Sequence, residues 1–171
     1  MWDWMLQTIE YFSRRPDLQL IIRIHPGELY GTLKTRQPLQ NEIKKAFPRL
    51  EKNIFIISPE CRVSTYALML RCNAVIIYGT KTGVELSSFG LPVVVAGEAW
   101  IRNKGITLDA KNLHDYFRIL DTLPMKTEEH QFDIMRARKY AYHFFFRRMI
   151  PLSFTEPKAG DPPFRIKIRR L

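Results

Sequence analysis

Ala74-Val75-Ile76-Ile77-Tyr78-Gly79-Thr80-Lys81-Thr82-Gly83-Val84-Glu85-Leu86-Ser87-Ser88-Phe89-Gly90-Leu91-Pro92-Val93-Val94-Val95-Ala96 reads as strand, turn, helix, turn, strand. Ala74 to Tyr78 and Leu91 to Ala96 are apolar along their whole length, the pattern of strands buried on both faces. The spacing predicts a helix over Gly83 to Phe89, with Gly90 as the glycine that follows its end. A strand, a short helix and a second apolar strand make a parallel unit whose ligands bind at the carboxyl ends of the strands.

The same alternation extends outward. Trp2 to Arg14 reads as a helix with Trp4, Met5, Ile9 and Phe12 on one face, broken by Pro16-Asp17. Leu18 to Ile24 is a strand ended by His25-Pro26-Gly27, and Leu39 to Phe47 a helix stopped by Pro48. Asn53 to Ile57 is a strand, and Val63 to Arg71 a helix with Ser64 as its N-cap. From Asn112 the chain is helical again, and Thr127 to Met149 reads as one long closing helix. The expected fold is α/β: a Rossmann-like three-layer α/β/α domain over residues 1–150 with a mostly parallel sheet. Residues 151–171 read as a Pro-rich basic tail with little regular structure.

Length and charge narrow the function classes. The chain has 171 residues, 46% of them hydrophobic, enough for one full core. Its longest apolar runs are far shorter than the ~20 residues that cross a bilayer, and Met1-Trp2-Asp3-Trp4 has no basic leader pattern. Cys61 and Cys72 match no metal or redox spacing and read as buried free thiols. The net charge of +10 predicts an anionic partner: nucleic acid, phosphorylated small molecules or anionic lipid. The excess is concentrated late, with Arg136, Arg138, Lys139, Arg147 and Arg148 in one acid-free stretch.

Gly79 to Glu85 holds what a phosphate needs. Two glycines permit close backbone approach, Thr80 and Thr82 bring hydroxyls, Lys81 a cation, and the helix start free N–H groups. Glu85, in the first helical turn, suits a ribose diol. The spacing is neither a Walker A loop nor Gly-x-Gly-x-x-Gly, and the same residues also suit a plain strand–helix turn with Thr82 as a cap. His25 equally suits a capping role at a strand end. Glu28 is expected to meet a hydroxyl or a nearby cation. Arg102 and Lys104 follow the last strand, where they either reach an anionic ligand or sit in solvent. His114, His130 and His143 read as structural.

The set Gly79, Thr80, Thr82, Gly83, Glu85 and Gly90-Leu91-Pro92 resembles the donor-binding half of GT-B glycosyltransferases. Ile21-Ile22-Arg23-Ile24-His25-Pro26-Gly27-Glu28 resembles the His-Pro motif of bacterial capsule polysaccharide biosynthesis proteins. Val94 to Trp100, followed by Arg102, Lys104-Gly105, Thr107 and Asp109, resembles that family's downstream segment. The resemblance implies a glycosyltransferase half that binds CMP-Kdo or another sugar nucleotide as its donor, with no tightly bound cofactor and no metal. His25, Pro26, Gly79, Thr80, Lys81, Thr82, Gly83, Glu85, Arg102 and Lys104 would line the nucleotide. About 24 residues precede the His-Pro motif. The acceptor half and the catalytic base are therefore expected from outside this chain, which alone would bind donor without catalysis. The expected setting is cytoplasmic, peripheral on the inner face of the membrane, with a lipid-linked glycan acceptor. Two alternatives stay open: a CDP-glycerol or CDP-ribitol phosphotransferase domain, and a non-catalytic nucleotide- or nucleic-acid-binding module. The first would be expected to carry a serine-rich turn at Gly79 to Thr82. The second lacks any recognition-helix, zinc-finger or RRM-type pattern.

Overall fold

A computed structural model describes residues 1–30, 35–125, 134–150, 152–160 and 164–167. The chain divides into two compact units, Met1–Ala141 and Tyr142–Leu171.

In the first unit the strands are β1 (Leu20–Arg23), β2 (Ile54–Ile57), β3 (Val75–Ile77), β4 (Val93–Val95) and β5 (Leu108–Asp109). The helices are α1 (Trp2–Ser13), α2 (Gly27–Tyr30), α3 (Leu39–Ala46), α4 (Thr65–Met69), α5 (Thr82–Ser88), α6 (Leu113–Leu120) and α7 (Ile134–Tyr142), the last ending at the boundary. β1 pairs β2 in parallel, with Leu20 opposite Ile54, and β3, β4 and β5 form a second parallel ladder with β4 central. This is the Rossmann-like α/β class that the apolar runs predict. Among the described residues no ladder joins β1 to β3; a crevice of about 580 Å³ lies between them. One shared core nevertheless spans both ladders, with Ile22, Ile54 and Val94 in the same cluster.

The two faces of β4 show how the layers form. Successive side chains on a strand point to opposite faces. Val94 joins the core made with α1, α3 and α6 through Ile9, Ile43 and Leu120. Val93 faces the other way, toward α5: a Cβ added at Gly83 would lie 3.6 Å from Val93 and only 2.6 Å from Ile77. Gly83 thus lets α5 settle against β3. All three residues of β4 are fully buried, as a strand covered on both faces requires. α5 ends as the sequence predicts. Gly90 has φ +83°, its N–H donates to the Ser87 carbonyl, and the Leu91 N–H donates to Leu86. That pair is a Schellman closure, and it turns the chain straight into β4.

α1 is held to α6 by polar as well as apolar contacts. Thr8 and Tyr116 share a buried hydroxyl pair at 2.9 Å, and the Tyr11 hydroxyl donates to Asp121 at 2.8 Å. Burial, with help from Asp121, pushes the Tyr11 phenol up to about 12. Asn53 binds the end of α1 to β2, donating to the carbonyls of Phe12, Arg15 and Leu18.

Several elements differ from the sequence expectation. β5 and the single turn α2 are additional; α5 keeps its expected length but starts one residue earlier, and the other strands and helices before α6 are one to four residues shorter. Part of the long helix expected over Thr127 to Met149 lies outside the described residues. Of the remainder, residues 134–147 are helical, as α7 and then a widened turn over His143–Arg147, and the helix stops two residues short of Met149. In the second unit, β6 (Thr155–Pro157) pairs antiparallel with β7 (Phe164–Ile166), where a tail with little regular structure is expected. The cause is physical: β6 is polar and ends in proline, and β7, although Phe164 and Ile166 alternate with Arg165, is exposed at all three residues and too short for that alternation to mark a strand. Cys61 and Cys72 are free but half-buried rather than buried, and burial raises the Cys72 thiol.

Candidate functional site

Parallel pairing puts the carboxyl ends of β3, β4 and β5 on one edge, and the segments leaving them pack tightly. A Cβ at Gly79 would lie 2.6 Å from the Glu98 carbonyl oxygen, and one at Gly97 would lie 2.5 Å from that of Tyr78. Two backbones therefore cross here at a distance only glycines permit. Beside the crossing lies a cavity of about 310 Å³, lined by Trp4, Tyr78, Glu98, Lys111 and Asn112 among others. The Trp4 and Tyr78 rings lie 5.3 Å apart and tilted.

The turn beyond Gly79 carries its polar groups outward. The Thr80 and Thr82 hydroxyls are 3.2 Å apart, and the Thr82 N–H leans toward the Thr80 oxygen at 3.4 Å. Thr80 and Lys81 are exposed. Lys81 occupies the cap position of α5, and no side chain caps that helix; the capping role open to Thr82 is not the one it takes. α5 is only seven residues long. Its dipole is correspondingly modest, and the turn's hydroxyls and ammonium dominate what an anion would meet.

Glu85, one turn further, accepts a hydrogen bond from the Tyr66 hydroxyl at 2.5 Å. That bond, to a carboxylate, raises the Tyr66 phenol above its ordinary value. Tyr66 lies in the first turn of α4, whose start is capped by Ser64 accepting from the Ala67 N–H, as the sequence predicts. The sequence reading omits Tyr66. Its only signal there is an aromatic hydroxyl in a helix that follows a strand end.

His25 stands exposed past β1, and its Nδ1 accepts the Gly27 N–H at 2.9 Å. In the neutral ring that leaves the proton on Nε2, directed away from the turn. Pro26 and Gly27 shape the bend; a Cβ at Gly27 would lie 2.7 Å from Nδ1. Both Glu28 oxygens accept the Leu39 N–H, at 3.3 Å, at the start of α3. Among the described residues no hydrogen bond joins His25 to the Gly79–Glu85 segment.

Arg102 is engaged inside the fold. Its guanidinium donates to the carbonyls of Gly97 at 2.9 Å, Val95 at 3.4 Å and Ala110, fastening the ends of β4 and β5 together. Arg23 behaves alike, donating to the carbonyls of Ile24, Ser58 and Cys61 past β1 and β2. Lys104 is exposed. It sits in a loop stapled by Asp109, which accepts the Asn103 N–H and the Thr107 hydroxyl, both at 2.7 Å. Asn103 has φ +60°, a conformation asparagine tolerates better than most residues. His114 and His143 are exposed on helical segments; His130 lies outside the described residues.

The strand ends, the His-Pro bend and the Arg102–Asp109 loop all fall within residues 3–143, which match the family model described as capsule polysaccharide biosynthesis protein. No curated protein and no solved structure matches the chain. A family match over most of the sequence is decisive: the chain belongs to the capsule polysaccharide biosynthesis protein family.

Proposed function

We propose that this chain supplies the donor-nucleotide site of a GT-B-type glycosyltransferase in capsule polysaccharide biosynthesis, with CMP-Kdo or a similar sugar nucleotide as donor. The observation that carries the reading is the exposed Thr80–Lys81–Thr82 turn at the carboxyl end of β3, with Glu85 one turn beyond it. Hydroxyls and an ammonium suit a phosphate, and a carboxylate a short way along suits the ribose joined to it. His25 and Pro26, exposed Lys104, and the backbone at Gly79 and Gly83 complete the proposed lining. Arg102 belongs to it through the loop it anchors. The acceptor and the catalytic base come from outside this chain.

Thermal shift with CMP, CDP, UMP and UDP tests the proposal. A ligand at a hundred times its Kd stabilises the fold by about 2.7 kcal/mol, which moves a melting midpoint measurably. Cytidine nucleotides are expected to stabilise; no response to any of the four removes the reading.

The setting we propose is the inner membrane surface, where a lipid-linked acceptor would be met. No helix among the described residues is long and apolar enough to cross a membrane. Phe146, Met149 and Ile150 are exposed beside Arg147 and Arg148, a pairing of apolar and cationic groups that suits an anionic lipid surface. Sedimentation with phosphatidylglycerol vesicles, but not with phosphatidylcholine vesicles, is the expected result. Equal recovery in both supernatants rejects the surface.

A further inference from the structure

The hydrogen bond from Tyr66 to Glu85 connects α4 and α5, helices that follow different strands. Tyr66 is 46% exposed, and α4 contributes no buried residue. Glu85 is half-buried, on a helix whose neighbours Val84 and Leu86 are fully buried and hold it in place. The bond runs from an exposed side chain on the helix after β2 to a carboxylate on the helix after β3, 19 positions further along the sequence. A hydrogen bond of this kind adds little to folding, because both groups are hydrogen-bonded to water in the unfolded chain. Its physical effect is on the carboxylate. A free glutamate samples many rotamers. One whose Oε2 is held by a phenol donor at 2.5 Å keeps a fixed plane, with Oε1 left to accept from a ligand.

We infer that Tyr66 is a positioning residue that fixes the Glu85 carboxylate to read the cis-diol of a ribonucleotide, so that this pair, rather than Glu85 alone, distinguishes ribose from deoxyribose. The inference rests on the donor-site reading above. A diol presents two O–H donors in one fixed geometry, and Oε1 together with the second lone pair of Oε2 accepts both well only when the carboxylate plane is set beforehand. Orienting it before binding removes an ordering cost at the moment of binding. Removing the 2′-hydroxyl then leaves an oriented acceptor unpaired, which is how a site built for a hydroxyl rejects the analogue that lacks it.

The test measures CMP and 2′-deoxy-CMP binding by calorimetry for the unaltered chain, Tyr66→Phe and Glu85→Gln. The unaltered chain is expected to favour CMP by about tenfold, the discrimination one well-placed hydrogen bond to a charged group supplies. Glu85→Gln abolishes most of that preference. Tyr66→Phe, which keeps the ring and removes only the hydroxyl, narrows it by about threefold or more. A purely structural Tyr66 would weaken both ligands in parallel and leave their ratio alone. An unchanged ratio in Tyr66→Phe, beside a clear preference in the unaltered chain, overturns the role given to Tyr66 and leaves the donor site standing. Failure of the unaltered chain to bind either nucleotide overturns the donor site itself, and the inference with it.

Discussion

Arg102→Ala separates a cation that binds ligand from one that holds the fold. In the structure its guanidinium bridges Gly97 and Ala110, with a longer contact to Val95, and thereby joins the carboxyl ends of the adjacent strands β4 and β5. A hydrogen bond from a charged donor contributes about 1.5–3 kcal/mol, so the two closer bonds give about 3–6 kcal/mol in a dry setting. Arg102 is half-buried, and water will reach some of the freed carbonyls. The expected loss is therefore about 2–4 kcal/mol. With a urea m-value of about 2 kcal/mol/M, the midpoint should fall by about 1–2 M at unchanged slope. Arg102→Lys should recover at most about half, because one ammonium cannot reproduce a planar fork spanning two carbonyls. Equilibrium urea unfolding followed by far-UV circular dichroism measures both. A change under about 0.5 kcal/mol in Arg102→Ala, the range of an ordinary surface substitution, would refute the reasoning. If nucleotide stabilisation disappeared at the same time, Arg102 would be a direct ligand after all.

Three further outcomes follow from the same geometry. Gly79→Ala sets a Cβ 2.6 Å from a backbone oxygen that cannot rotate away, and should cost about 1–3 kcal/mol in the same urea assay, with or without nucleotide. Asn112→Ala removes the side chain that accepts the Asp115 N–H at the start of α6, and a loss of about 1 kcal/mol is expected from its thermal midpoint. Asp115 accepts the Lys111 N–H and the Arg118 guanidinium, which hold its carboxyl below the ordinary 3.8. A depressed carboxyl contributes stability that is present above its unfolded value and lost as pH falls through its folded one. Asp115→Asn should therefore be less stable than the unaltered chain at neutral pH, with the gap closing below about pH 4.

The α/β order is legible in the amino-acid sequence alone. Parallel strands covered on both faces are apolar throughout, so Ile54–Ile57, Val75–Ile77 and Val93–Val95 lie inside apolar runs, and Leu20–Arg23 inside a β-rich run with one arginine. Ser64 and Asn112 start their helices, and Gly90 closes its own, by local rules, and local rules are written locally; Ser64 and Gly90 were legible for that reason. The turn from Gly79 to Glu85 was legible too, as a juxtaposition of residue types. Tertiary structure decided the rest. β5 exists because Leu108 and Asp109 find the edge of β4, and two residues carry no period of their own. The chemistry of Arg102 is set by carbonyls on two strands that meet only in the fold, so its sequence showed a cation and not its partners. Tyr66 reaches Glu85 because α4 and α5 follow different strands and come together in space. Hydrophobic pattern is a property of neighbours along the chain, and a hydrogen bond between distant side chains is a property of the packing that brings them within 3 Å or so of each other.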